Sequence, residues 1–170
     1  MDIRPESPSE FSTIYGLVTA AFATAPHADG DEQDFVARLR AGAGYLPDLA
    51  LVGQEEGALV AHAMLTRLPP DPSRRPSGLL LLAPVSVAPG AQRRGFGSAL
   101  VRDLLARAAA GGHRAVVVLG DPGYYGRFGF KPAIGFGLSH TGPFADENVM
   151  AMQLAPGALV GAAGAISFPS

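Results

Sequence analysis

The feature that most limits how this chain can fold runs from Leu79 to Leu105, LLLLAPVSVAPGAQRRGFGSALVRDLL. An apolar run ends in alternating Val85 and Val87, and Pro89-Gly90 breaks it. A glycine-rich turn follows, Gln92-Arg93-Arg94-Gly95-Phe96-Gly97-Ser98. Ala99, Leu100, Leu104, Leu105 and Ala108 then recur at helical spacing. The order is strand, turn, helix. The first N–H groups of such a helix have no intrahelical partner, and the helix dipole adds positive potential there. Gly95 and Gly97 present no side chain, and Arg93 and Arg94 add charge. The turn is a candidate cradle for a diphosphate. Its spacing is neither G-x-G-x-x-G nor G-x-x-x-x-G-K-[ST]. On the residues alone, close packing accounts for the glycines as well as a ligand does.

Length and composition narrow the classes. The 170 residues suit one domain of ordinary size. A net charge of −2 carries no basic excess, which disfavours nucleic acid. Without cysteine there is no disulfide, thiolate nucleophile or Cys-ligated zinc. The four histidines, at 27, 62, 113 and 140, show no close ligand spacing, so no metal is expected. The start of the chain, with Asp2, Arg4, Glu6 and Glu10, does not read as a secretory signal. No run approaches the roughly 20 apolar residues of a spanning helix. A cytoplasmic protein away from the membrane is the plain reading. The 22 glycines and 15 prolines indicate many turns.

The rest of the chain reads as alternating elements. A short strand opens at Ile3. Ser7 or Ser9 caps a helix that carries Phe11, Ile14, Tyr15, Val18, Ala21 and Phe22. A second helix is expected over about 31–41, stopped by Gly42 and Gly44. A hairpin follows, 49–53 and 59–68, turning at Glu55-Glu56-Gly57. The proline-rich stretch 69–78 reads as an exposed connector. Pro84 has no N–H for a ladder, which points to a bulge or a divergence of strands near Pro84-Val85. The run Val116-Val117-Val118 fits a buried strand parallel to the one before the turn. A short helix over 124–128, capped by Gly129, precedes two expected strands, 134–138 and 149–154. The domain is expected over 1–155. The segment 156–170 reads as a loose tail, with Ile166 and Phe168 supplying an edge contact.

The turn Q-R-R-G-F-G resembles the Q/R-x-x-G-x-G/A acyl-CoA signature of the GCN5-related N-acetyltransferases. Further on, Tyr-Gly-Arg-Phe-Gly-Phe, 125–130, is similar to that family's Tyr-x-x-hydrophobic-Gly-Phe ending. The resemblance is strongest from Leu79 to Pro132 and extends over most of the chain. It implies an α/β fold with a mixed central sheet, flanked by helices, whose fourth and fifth strands splay apart. It implies acetyl-CoA as cosubstrate and an amine-bearing acceptor, by direct attack without a covalent enzyme intermediate. Val85 and Val87 would offer main-chain groups to the pantetheine arm and the thioester carbonyl. Gln92, Arg93, Arg94, Gly95, Phe96, Gly97 and Ser98 would hold the diphosphate. Tyr125 would protonate the departing thiolate, and Tyr124 beside it would point elsewhere. The resemblance also implies a homodimer through the C-terminal strands.

Two departures stand out. No asparagine precedes Tyr125 in this segment, and Leu79 to Val87 holds no acidic residue to serve as base. Asp31, Glu32, His27 and His62 remain as candidate bases, each more readily read as a solvated or satisfied structural group. The acidic balance of 26–35 hints at a cationic acceptor. Two alternatives stay open. One is an acyl-CoA-binding or regulatory domain without turnover; the other is a nucleotide-binding protein that uses the same turn.

Overall fold

The computed structural model describes residues 1–26 and 28–170. It divides into two compact units, 1–66 with 83–107, and 67–82 with 108–170. The first unit holds strand β1 (Asp2–Pro5), helix α1 (Phe11–Phe22), helix α2 (Glu32–Ala41), and strands β2 (Ala50–Glu55) and β3 (Ala58–Arg67). Strand β4 (Leu80–Val87) begins in the second unit and ends in the first, where helix α3 (Phe96–Ala110) follows it. The second unit continues with β5 (Ala115–Leu119), the short helix α4 (Pro122–Tyr125), and strands β6 (Lys131–Pro132), β7 (Ser139–His140), β8 (Val149–Gln153) and β9 (Ala165–Ile166).

In the first unit the sheet order is β1-β2-β3-β4, with β1 and β2 antiparallel and β2 and β3 antiparallel. Glu56 and Gly57, both at positive φ, make the tight turn of the hairpin. One sheet face is covered by α1 and α2. Ile14, Val18, Val36 and Leu39 meet Ala50, Val52 and Met64 there, all buried. Each fully buried Val, Leu or Ile is worth roughly 1.5–3 kcal/mol, so this layer fixes the two helices on the sheet. The opposite face receives α3. Gly53 points that way, and a Cβ on it would meet the Leu100 side chain at 3.0 Å. Helix α1 starts one turn later than expected. Pro8–Glu10 form a 3-10 turn, and the Glu10 carboxylate accepts the Ser7 N–H at 2.9 Å.

In the second unit the order is β4-β5-β8-β6. The parallel ladder pairs Leu80 with Val116 and Leu81 with Val117, and extends no further among the described residues. β5 and β8 pair antiparallel over Ala115–Leu119. The buried run Val116, Val117 and Val118 is the strand its lack of alternation predicts.

β4 also carries the expected irregularity. Leu68 N–H donates to Leu79 O, and Ala88 N–H to Val60 O. Eight residues separate Val60 from Leu68 but nine separate Leu79 from Ala88, so β4 holds one extra residue. Pro84, unable to donate, lies within this stretch.

Two expectations are corrected. Residues 134–138 are not a strand. Ala133–Phe136 form a 3-10 turn, closed by Gly137 N–H to Ile134 O and Leu138 N–H to Ala133 O. Gly137 lies at φ 96, which an apolar alternation cannot reveal. The short strands instead flank this turn as β6 and β7. The connector 69–78 is mostly exposed but pinned. Arg74 is buried, with its guanidinium on Pro69 O, and Arg75 exchanges two main-chain bonds with Ala163. The C-terminal segment is held too: β9 pairs parallel with β7, and Leu159 and Ile166 are buried.

Candidate active site

The turn after β4 has the geometry of an anion cradle. A 3-10 turn, Pro89–Ala91, brings the chain off the strand. Arg93 takes the left-handed conformation at φ 61, exposed, and Gly95 follows at φ 85. Ala99 N–H donates to Gly95 O at 2.9 Å, so the helical ladder starts at Gly95. The N–H groups of Gly95, Phe96, Gly97 and Ser98 therefore precede any intrahelical partner. A Cβ built on Gly95 would meet nothing within 4 Å, so the space beside Gly95 itself is open. Four main-chain donors, a dipole terminus and open space fit a diphosphate group.

Two side chains of the turn contact neighbouring strands. Arg94 forms a two-point ion pair with Glu55, both bonds 2.8 Å, and its guanidinium lies 4.6 Å over the Phe96 ring. Gln92 Nε2 donates to Val87 O at 3.2 Å. Arg93 is the remaining cation of the turn. Arg94 and Gln92 thus brace the turn against β2 and β4, while the main chain is left to bind.

Val85 and Val87 are half-buried on β4. Ala88 turns its N–H toward β3. Peptide groups alternate sides along a strand, so those of Val85 and Val87 point away from β3. They lie past the last β4–β5 pair.

Tyr125 ends α4 in the second unit. Asp121 caps this helix, accepting the Gly123 N–H at 3.0 Å. The Tyr125 ring packs on Gly120, where any Cβ would overlap it, and stands edge-on to Tyr124 and Phe130 at 4.9 and 5.8 Å between centroids. Burial pushes the phenol well above its ordinary range, with Tyr124 adding to the effect. It therefore stays protonated across the neutral range. Its hydroxyl has no hydrogen-bond partner among the described residues. Gly129 stands at φ 102 as the expected cap.

The candidate bases separate. Asp31 is the N-cap of α2 and pairs with Arg38 at 3.3 Å. Glu32 accepts the N–H groups of Asp29 and Gly30 at 2.7 and 3.1 Å. Asp34 accepts the Tyr15 hydroxyl. Three of the carboxylates in 26–35 thus tie down local structure, which weakens the hint of a cationic acceptor. His27 lies outside the described residues. His62 is buried on β3 and touches a group that sequence reading missed. Glu6 accepts from His62 Nε2 at 2.9 Å, Arg40 Nε and Nη2 at 2.8 Å each, and the Tyr45 hydroxyl at 2.9 Å. Burial pushes the Glu6 carboxyl up, but these donors outweigh it and bring it to about 2. Burial and then Glu6 push Tyr45 up to about 12. The partners lie 34 to 56 residues from Glu6, beyond the reach of any local pattern.

A family model described as the acetyltransferase (GNAT) family matches residues 13–130. The uncharacterised N-acetyltransferase YhbS of Escherichia coli K12 is 29% identical over 168 residues, which cover 99% of this chain and 96% of that protein. A crystal structure of E. coli YhbS in complex with CoA superposes with a TM-score of 0.85 at 26% identity, covering 99% of this chain and 89% of the other. A GNAT family acetyltransferase from Brucella melitensis, solved in complex with acetyl-CoA, gives a TM-score of 0.74 at 30% identity, with 91% and 88% covered. Both the turn and the strand before it fall inside the matched span, and so does Tyr125; the chain belongs to the GNAT acetyltransferase family.

Proposed function

We propose that this protein transfers an acetyl group from acetyl-CoA to a primary amine of its acceptor by direct attack. The observation that carries this reading is the bend at Gly95, where four main-chain N–H groups precede any intrahelical partner and a Cβ on Gly95 would meet nothing within 4 Å. The likeness to relatives solved with CoA and acetyl-CoA supports it. In this reading the N–H groups of Gly95, Phe96, Gly97 and Ser98 hold the diphosphate, with Arg93 adding charge at the rim. Gln92 and Arg94 set the shape of the turn. The peptide groups of Val85 and Val87 pair with the pantetheine arm as an added strand would. A main-chain N–H there stabilises the negative charge that grows on the thioester oxygen. Tyr125, kept protonated by burial, donates its proton to the departing thiolate. Much of the acceleration comes from holding both reactants in place. The direct-attack chemistry of this reading uses no metal.

We read the catalytic domain as 1–155, with 156–170 as an appended segment, and the protein as a cytoplasmic homodimer joined through its C-terminal strands. No helix of the described residues is long and apolar enough to cross a membrane.

The test is a turnover screen. Purified protein, acetyl-CoA and a broad panel of primary amines are followed by release of the CoA thiol. Amine-dependent release supports the reading. Tight CoA binding with no turnover on any amine would favour a binding or regulatory domain, and absence of CoA binding by calorimetry would defeat both.

A further inference from the structure

An acid must hold its proton where the leaving group will be, yet no hydrogen bond fixes the Tyr125 hydroxyl among the described residues. The walls around its ring decide where it points. Tyr124, Phe128 and Phe130 are three of them, each a side chain that can turn. The fourth is main chain. Gly120 lies against the ring so closely that a Cβ there would overlap Tyr125 Cε2. The place of the hydroxyl therefore depends on the place of Gly120.

Gly120 follows the last pair of the β5–β8 ladder, Leu119 with Val149. One step on, Gly120 faces Asn148, and the Gly120 N–H donates to Asn148 O at 2.9 Å. In an antiparallel ladder such a pair closes with the reciprocal bond, here Asn148 N–H to Gly120 O. That N–H is engaged elsewhere. It donates to Ala145 O at 3.0 Å and closes the 3-10 turn Asp146–Asn148. Gly120 O is bonded instead by the Asn148 side chain, Nδ2 at 3.1 Å. The amide of the side chain thus replaces the donor that its own main chain has turned away. Both polar groups of Gly120 end on one residue, 28 positions further along the chain. An aspartate would have the same shape but no donor at neutral pH.

We propose that Asn148 is a positioning residue for the acid of the reaction, pinning Gly120 from across the strand pair and so setting where the Tyr125 hydroxyl stands. This rests on the acetyltransferase reading above. In that reaction the amine nitrogen bonds to the thioester carbon and sheds a proton to solvent. The C–S bond breaks with its electron pair on sulfur, and sulfur takes the proton of Tyr125. The tyrosinate then takes one back from solvent. Transfer to sulfur requires the phenol within hydrogen-bond reach, and a misplacement of about 1 Å can lower a rate by about 100-fold. Asn148 acts only through Gly120. The competing role is that of a plain end to the ladder, with no bearing on Tyr125.

Asn148→Asp keeps the shape and removes the donor. The first measurement needs no substrate. With carbon-13 in the tyrosine rings, the Tyr125 signals, assigned by Tyr125→Phe, should move in Asn148→Asp, while those of Tyr15 and Tyr45 stay. Unmoved Tyr125 signals in the folded variant overturn the proposal, whether or not the protein binds CoA. The second uses the amine that the panel selects. Asn148→Asp should lower kcat about 10-fold and leave the acetyl-CoA Kd unchanged. In a Tyr125→Phe background the same substitution should lower kcat no further, because both changes act on one proton transfer. A general structural defect would multiply the two losses instead, and that result overturns the proposal, as does a native kcat. Gly120→Ala presses on the same ring and is the second variant should Asn148→Asp not fold. It should show the same loss, again absent in the Tyr125→Phe background, and a native kcat there overturns the proposal too. These results leave the acetyltransferase reading intact. Absence of turnover by the native protein on every amine would overturn that reading, and the role of Asn148 with it.

Discussion

Tyr125 is the side chain for which we propose the role of acid to the departing thiolate. Its ring is enclosed by Gly120, Tyr124 and Phe130, and its hydroxyl has no protein partner among the described residues. Burial keeps the proton on oxygen, so the residue is a donor across the neutral range. Tyr125→Phe should retain acetyl-CoA affinity and lose about 100-fold in kcat, read by calorimetry and steady-state turnover. Unchanged turnover would remove it from the mechanism. The expectation for this position came from its local offset to Gly129-Phe130. Glu6 offered no such signal. It reads as one polar residue in an open stretch, and its role arises from Arg40, Tyr45 and His62, brought in from distant parts of the chain. Arg94 was legible as a charge but not as a brace, because Glu55 lies 39 residues away.

Among the elements, those with a strong period or a definite stop were read correctly. β4, α3 and β5 followed from apolar patterning and from the glycines that end them. The error over 134–138 has a physical origin. Ile134, Phe136 and Leu138 alternate as a strand would, yet the intervening Gly135 and Gly137 allow the chain to close local turns instead. Gly137 is there for two reasons, its φ of 96 and the carbonyl of Ala162, which a Cβ would approach to 2.5 Å. Gly137→Ala should therefore cost roughly 2–3 kcal/mol, seen as a lower midpoint in denaturant. A midpoint equal to the native one would mean that this turn can relax freely. The extra residue in β4 was foreseen from Pro84 alone, since a residue without an N–H fits a ladder poorly.

For the molecule as a whole, the buried Glu6 cluster sets a pH dependence of stability. The folded-state pKa of Glu6, about 2, lies below its ordinary 4.5. The stabilisation is thus complete above the unfolded value and is lost as pH falls from 4.5 toward 2. A shift of this size is worth about 3 kcal/mol. Urea unfolding between pH 6 and pH 3 should show about 2 kcal/mol of this loss. Glu6→Gln should flatten that part of the curve and lower stability at neutral pH by roughly 3–5 kcal/mol, since Arg40, its side chain 11% exposed, is left without its partner. A native-like curve for Glu6→Gln would contradict the assignment.

The function rests on the main-chain donors at Gly95, and one titration reaches them directly. CoA and pantetheine, which lacks the diphosphate and nucleotide, are titrated calorimetrically into the native protein and into Gly95→Val. CoA should bind the native protein about 100-fold or more tighter than pantetheine, a difference of about 2.7 kcal/mol or more, and Gly95→Val should erase most of that gap. Equal affinity for the two compounds, or a gap untouched by the substitution, would contradict the claim that this bend grips the diphosphate.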